Sequence, residues 1–198
     1  MARLVNSGVS SIKLHTLLLL PGASLDSDSS RKQFDFRTQW RAVTKSFGRY
    51  TFLGAEFDSI EAEEIVVATK SLSFDEYIKC RQLGFVINYF YNDDLFGEVR
   101  TVLRNFDISM WSWILTVLDS VENSSTDDPV RKLYDAFTHD VRSELLPSER
   151  EMREDIHVNL SRYLTGELGS NITFKYKALL MRDHVEDVLA FGFACLRK

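Results

Sequence analysis

Residues Ile12–Leu25, IKLHTLLLLPGASL, contain an unbroken apolar run, Leu17–Leu20, which Pro21 and Gly22 close. A short apolar run that ends at a Pro-Gly break is typical of a strand buried on both faces. Such strands occur mainly in parallel sheets covered by helices, because a strand with one wet face alternates between apolar and polar residues. The stretch therefore predicts one strand of an α/β unit, with a ligand-binding loop after its carboxyl end.

The composition sets limits on the class of protein. The chain has 198 residues, enough for one sizeable domain or two small ones, and 44% of them are hydrophobic, which excludes a disordered composition. A formal net charge of -5 argues against nucleic-acid binding through bulk charge. The cysteines, Cys80 and Cys195, lie far apart and form no zinc or disulfide pattern, so we expect a cytoplasmic protein.

A membrane helix and a signal peptide are the two alternatives to a strand for the leucine run. A membrane helix needs about 20 apolar residues, whereas Lys13 and Pro21 bound a much shorter run, so we expect no membrane partner. A signal peptide is the nearer alternative, with Lys13 as its basic flank and Ala23-Ser24 near a cleavage site. His15 and Thr16 interrupt that pattern, which favours a strand.

Extended structure is expected around the leucine run. The preceding segment, 1–8, is typical of the last turn of a helix with Gly8 as its cap, so we expect sequence upstream to belong to the same protein. The segment 38–52 is rich in aromatic and β-branched residues and predicts a strand or ordered loop. The segment 63–72 predicts another short strand, although 60–68 also fits a helix.

Amphipathic helices are predicted from Ser73 onward. Ser73 stands in capping-box register with Glu76, and Ser148 stands in the same register with Glu151. Asp127 is expected to cap a helix that has Pro129 in its first turn. The predicted buried stripes, at helical spacing, are Leu83, Val86, Ile87 and Phe90; Val99, Val102, Leu103 and Phe106; Met110, Ile114, Val117, Leu118 and Val121; Val130, Leu133, Tyr134, Phe137 and Val141; Met152, Ile156, Leu160 and Tyr163; and Val185, Val188, Leu189, Gly192 and Leu196.

Three stretches occur in an order that is characteristic of one family. KLHTLLLLPGASL (13–25), QWRAVTKSFGRY (39–50) and EEIVVATKSLSFDEY (63–77) together resemble the C-terminal part of cobalamin-binding radical S-adenosylmethionine (radical SAM) proteins. In that family a late barrel strand ends in a similar apolar-Pro-Gly-Thr turn, and here Ala23 stands in place of the threonine. The resemblance covers Ile12 to Phe90 and fades beyond.

The resemblance implies an α/β fold that is mostly α. Residues 1–72 would end a partial (β/α) barrel and an extended linker, and residues 73–198 would form a helical C-terminal region. The full-length protein would use S-adenosylmethionine, a [4Fe–4S] cluster and cobalamin on a small-molecule substrate, as in a cobalamin-dependent methyltransferase. The family's C-x3-C-x2-C motif and cobalamin domain are missing from this sequence. We therefore expect the chain alone to hold no cofactor and to be inactive, with an N-terminal radical SAM and cobalamin portion as its partner.

The resemblance also implies a cofactor contact at Leu20, Pro21 and Gly22, because the family places the end of this strand near the adenine. The alternative is an ordinary turn that ends a strand, since the other walls of such a pocket would belong to the missing portion. His15, within the run, is interpreted as a hydrogen-bonded core histidine.

The other acidic, histidine, cysteine and aromatic side chains that could carry chemistry are assigned structural roles. Glu154 and His157 have the Glu-x-x-His spacing of di-iron helices, but such sites need the motif twice, so His157 is interpreted as a partly exposed helix residue. Asp93 and Asp94 are expected to cap a helix rather than to act as an acid and a base. Basic neighbours of Cys80 favour a thiolate, but no base is identifiable, so we predict no catalytic or metal-binding residue. The aromatic residues of the middle of the chain predict a helical core: Phe85, Tyr89, Phe90, Tyr91, Trp111 and Trp113.

Two functions follow from these observations. The first is the C-terminal portion of a radical SAM enzyme, which helps to close the active site. The second is a non-catalytic helical interaction module that packs its opening strand onto a partner or completes the partner's sheet. The coding sequence upstream of Met1 distinguishes the two.

Overall fold

The computed structural model describes residues 1–197, apart from the side chain of Lys45. Within this part of the chain a small antiparallel sheet accompanies ten α-helices, so the mixed and mostly helical fold is confirmed. The α-helices are α1 (Ala2–Asn6), α2 (Asp28–Phe34), α3 (Phe74–Val86), α4 (Gly97–Asn105), α5 (Met110–Asn123), α6 (Pro129–Ser143), α7 (Glu149–Val158), α8 (Leu160–Leu164), α9 (Ile172–Leu179) and α10 (Val185–Ala194). The strands are β1 (Leu18–Leu19), β2 (Arg37–Phe52) and β3 (Ala55–Ala68), in the sheet order β1-β3-β2.

The strand predicted from the leucine run is wrong in its length and its pairing. β1 holds only two residues and pairs with β3 in antiparallel fashion, with Leu18 opposite Ile65. Leu19 is buried, but Leu17 is 40% exposed and Leu20 is 60% exposed. The run is therefore not buried on both faces, and β1 lies at an edge of the described sheet, beside β3. Both strand pairings of the sheet are antiparallel, whereas the neighbouring strands of a (β/α) barrel are parallel.

The second and third strands form one long hairpin. The extended structure predicted for 38–52 is confirmed by β2. The strand predicted at 63–72 is confirmed as far as Ala68, where β3 ends, so the helical alternative for 60–68 is wrong. Leu53 and Gly54 connect the strands with φ values of 50° and 80°. Positive φ at both central residues defines the tight hairpin turn that joins twisted strands, and Asn-Gly rather than Leu-Gly is its usual sequence. The turn was missed for this reason.

The predicted capping box at Ser73 is confirmed, and Ser148 caps α7 as predicted. Ser73 Oγ accepts a hydrogen bond from the Glu76 N–H at 3.3 Å, and the Ser73 N–H donates to Glu76 Oε2 at 2.8 Å. Ser148 Oγ accepts from the Glu151 N–H at 3.2 Å at the start of α7. At Ser148 the second bond is donated by the serine hydroxyl to Glu151 Oε2, at 2.7 Å. Each serine oxygen satisfies an N–H group that the first turn of a helix leaves without a partner.

The cap predicted for α6 is displaced by one residue. Asp128, not Asp127, accepts hydrogen bonds from the N–H groups of Val130 and Arg131, at 2.8 and 3.1 Å. Asp128 directly precedes Pro129, the first helical residue, so it occupies the N-cap position and its carboxylate reaches the first turn.

We expect Ser73→Ala to lower the free energy of unfolding by about 1 kcal/mol, because it removes the capping oxygen of α3. Ser71→Ala, on the exposed loop before the helix, is the matched control. Urea denaturation measures both. Equal stability of the two variants would contradict the capping role.

The chain folds into two compact units, each with most of its contacts within itself. The first unit contains Met1–Leu14, Lys79–His139 and the residues from Ile172 onward, and the second contains His15–Ile78 and Asp140–Asn171. The region 73–198 contributes to both units. The linear division predicted after residue 72 therefore differs from the division by contacts, because each unit is assembled from segments that are distant in sequence.

Aromatic residues form the centre of the first unit, as predicted, although Trp111 is only partly buried. Tyr89, Phe90 and Trp113 are at most 4% exposed. The Phe96 ring stacks on Phe90 with 5.4 Å between the ring centroids and packs against Trp113 at 5.2 Å. A Cβ at Gly192 would lie only 2.4 Å from this ring. Helix α10 can pack closely against Phe96 because residue 192 has no side chain.

Gly192→Ala is expected to lower the free energy of unfolding by about 1–3 kcal/mol, because the new methyl group overpacks the Phe96 ring. This result would reverse the usual helix preference, which favours Ala over Gly by about 1 kcal/mol. Ala190→Gly, on an exposed position of the same helix, reports that preference alone. Thermal and urea unfolding measure both variants, and a Gly192→Ala protein more stable than wild type would contradict the close packing.

The stripes predicted for the later helices are confirmed in part. All five stripe residues of α6 are at most 8% exposed. In α4, Val99 and Leu103 are buried, but Val102 is 47% exposed and Phe106 is 73% exposed, so the predicted stripe is too wide. Helical spacing identifies the buried side of a helix, but it does not show how much of that side a neighbour covers.

The core of the second unit lies between α7 and the sheet. Met152 and Ile156 of α7 form a buried cluster with Ala42 of β2 and Tyr163 of α8. Partly buried residues surround this cluster: Trp40, Ile60, Ala62, Leu146 and Leu168. The base of the β2–β3 hairpin is therefore fixed by packing.

Candidate functional site

The predicted cofactor contact is a closed β-turn at the end of β1. The Ala23 N–H donates to the Leu20 carbonyl oxygen at 3.0 Å, and Gly22 has a φ of 80°. Proline followed by a left-handed glycine at the two central positions is the signature of a type II turn. The turn explains why Pro21 and Gly22 end the apolar run.

The turn is stabilised from within its own loop. The Gly22 N–H donates to Asp26 Oδ2 at 3.3 Å, and Asp26 ends a short 3-10 turn, Ser24–Asp26. Leu20 is 60% exposed, and no atom lies within 4 Å of the place where a Gly22 side chain would begin. The residues are accessible, but the Gly22 N–H and the Leu20 carbonyl are already bonded. A cofactor contact at Leu20, Pro21 and Gly22 stays a prediction.

An ion-pair network lies beside this turn; we call Asp26, Arg31, Thr38 and Glu64 the Arg31 cluster. Arg31 of α2 donates to Asp26 Oδ1 at 2.6 Å and binds the Glu64 carboxylate with two hydrogen bonds, at 2.9 and 2.5 Å. The Thr38 hydroxyl lies 2.6 Å from Glu64 Oε1 and donates to it. Paired hydrogen bonds between a guanidinium and a carboxylate are among the strongest that proteins form. The cluster joins the turn and α2 to β3.

The ionisation of the Arg31 cluster suits a structural role, in which it holds the turn and α2 to β3, and not proton transfer. The hydrogen bond from Arg31 lowers the pKa of Asp26 and the pKa of Glu64, and these carboxylates raise the pKa of Arg31. All three groups are therefore ionised at neutral pH and cannot exchange protons there. Since two carboxylates occupy the guanidinium, Arg31 is also a poor ligand for a phosphate.

The Arg31 cluster was not predicted from the sequence, although one signal was present. Glu64 directly precedes the apolar run Ile65–Ala68 of β3, and its side chain is only 13% exposed. A largely buried carboxylate in a strand requires a cationic partner. The partner, Arg31, lies 33 residues earlier in the chain, and nothing local in the sequence joins the two.

We expect Glu64→Gln to lower the free energy of unfolding at pH 7 by about 1–2 kcal/mol, because it replaces a charge-assisted pair with neutral hydrogen bonds. The folded state depresses the pKa values of Asp26 and Glu64, so their contribution is present above the unfolded pKa values of about 4 and is lost as the pH falls below them. The variant should therefore lose less stability between pH 5 and pH 2 than wild type.

Glu61→Gln, an exposed carboxylate of the same strand, is the control for the change of charge. Urea denaturation at successive pH values measures all three proteins. If Glu64→Gln and wild type lost the same free energy of unfolding in acid, the Arg31 cluster would not contribute to stability.

The remaining sequence candidates are separate and mostly exposed. His157 lies on the exposed side of α7, as interpreted, with Glu154 on the same surface. Within residues 1–197, no group of three or more His, Cys, Asp and Glu side chains could hold a metal ion. His15 is exposed, so its interpretation as a core histidine is wrong; the run is open to solvent on that side.

Asp93 and Asp94 do not cap α4. Both residues have left-handed backbones, with φ values of 60° and 59°, and no side chain caps α4 at its N-cap residue, Phe96. Asp94 instead forms an ion pair with Arg100 at 3.3 Å, and Asp93 pairs with Lys177. The predicted cap is wrong because the turned backbone directs both carboxylates to cations of other segments.

The thiols do not fit an iron–sulfur cluster. A radical SAM cluster needs three protein thiolates, whereas the chain has two cysteines, Cys80 exposed and Cys195 buried. The residues of this chain alone therefore support no step through a [4Fe–4S] cluster.

Comparisons with known proteins identify no family for the chain. A scan against protein-family models and a search of curated proteins both find no match. Among the described residues, no helix is long and apolar enough to cross a membrane.

Proposed function

We propose that this chain is the C-terminal portion of a cobalamin-binding radical SAM enzyme and helps to close the active site of the portion that holds the cofactors. The order of the three stretches between Lys13 and Tyr77 supports the family. In this proposal, residues 1–72 join a partial barrel only when the N-terminal portion supplies its parallel strands. S-adenosylmethionine, the cluster and cobalamin belong to that portion, and Leu20, Pro21 and Gly22 approach the adenine.

The open side of β1 is the observation that carries this proposal. β1 has one neighbour in the sheet, and Leu17 and Leu20 beside it expose apolar surface. An edge strand with exposed apolar residues is a place where another strand adds. The stretch that contains β1 is also the stretch that resembles a late barrel strand. The open edge and the resemblance therefore concern the same surface.

Association of two chains tests the proposal. The coding sequence upstream of Met1 is read for an in-frame C-x3-C-x2-C, and the portion that carries it is expressed as a separate chain. We expect the two chains to co-elute in size-exclusion chromatography, and we expect Leu17→Lys and Leu20→Lys to abolish co-elution. Leu25→Lys, which is as exposed as Leu17 but lies beyond the turn, is the control. Absence of the motif, or two chains that elute separately, would contradict the proposal.

A non-catalytic interaction module is the second candidate function. The antiparallel pairing of β1 with β3 favours it, because a barrel strand has parallel neighbours. The module would use the same edge for a partner that carries no cluster. An upstream region without the cysteine motif would favour this candidate over the first.

A further inference from the structure

We draw no further inference here: the strongest candidate, the exposed aromatic face that Tyr50, Phe52 and Phe57 form at the outer end of the β2–β3 hairpin, is an unpartnered apolar face, and nothing in the described structure shows what covers it.

Discussion

Val86→Asp should prevent stable folding, with a loss of more than about 4 kcal/mol in the free energy of unfolding. Val86 ends α3 and is 0% exposed. Its neighbours in sequence, Phe85 and Ile87, are 2% and 0% exposed. No cation is paired with this position in the described structure, so an aspartate there would be buried without compensation. A buried carboxylate avoids that cost only by taking up a proton.

The matched control for this prediction is Val102→Asp. Val102 also lies in a helix, but it is 47% exposed, so its aspartate remains in water and the expected loss is within about 1 kcal/mol. Urea denaturation followed by circular dichroism measures both variants. If the two variants had equal stability, the assignment of Val86 to the core would be wrong.

Asn92→Ala is expected to lower the free energy of unfolding by about 2–4 kcal/mol, because it leaves two buried backbone groups without partners. Asn92 is 5% exposed. Its Oδ1 accepts from the Ile12 N–H at 2.9 Å, and its Nδ2 donates to the Ile12 carbonyl oxygen at 2.9 Å. One side chain thus replaces a strand partner for Ile12 and ties the segment Met1–Leu14 to the rest of the first unit.

Asn123→Ala provides the control for the loss of an amide. Asn123 donates to the Asp119 carbonyl oxygen at 2.8 Å but lies at an exposed helix end, where water replaces the lost hydrogen bond. We expect its stability to stay within about 0.5 kcal/mol of wild type. Hydrogen exchange at the Ile12 amide gives a second readout. Unchanged protection of that amide in Asn92→Ala would contradict the role of Asn92.

The features that could be predicted from the sequence are those that local spacing determines. The helix caps at Ser73 and Ser148 depend on residues three apart, and the α6 stripe depends on one helical period. The role of Asn92 was not predicted from the sequence. Its hydrogen bonds to a residue 80 positions earlier leave no local signature.

The wrong predictions concern features that depend on contacts between distant parts of the chain. The leucine run had the composition of a doubly covered strand, but burial of β1 is decided by which strands and helices lie beside it. Its neighbour in the described sheet, β3, begins about 37 residues later, after a turn with an unusual leucine at position 53. The Arg31 cluster was missed for the same reason, since Arg31 and Glu64 meet only through the fold.

The formation of 5′-deoxyadenosine from S-adenosylmethionine tests the central claim most directly. The chain is purified without oxygen, treated with iron and sulfide, and assayed alone and together with the N-terminal radical SAM and cobalamin portion that the proposed function requires. We predict no product from the chain alone, because two cysteines cannot supply three thiolates. We also predict that adding the chain increases product formation by the N-terminal portion. Stoichiometric product from the chain alone, or a partner whose rate the chain does not change, would contradict the account.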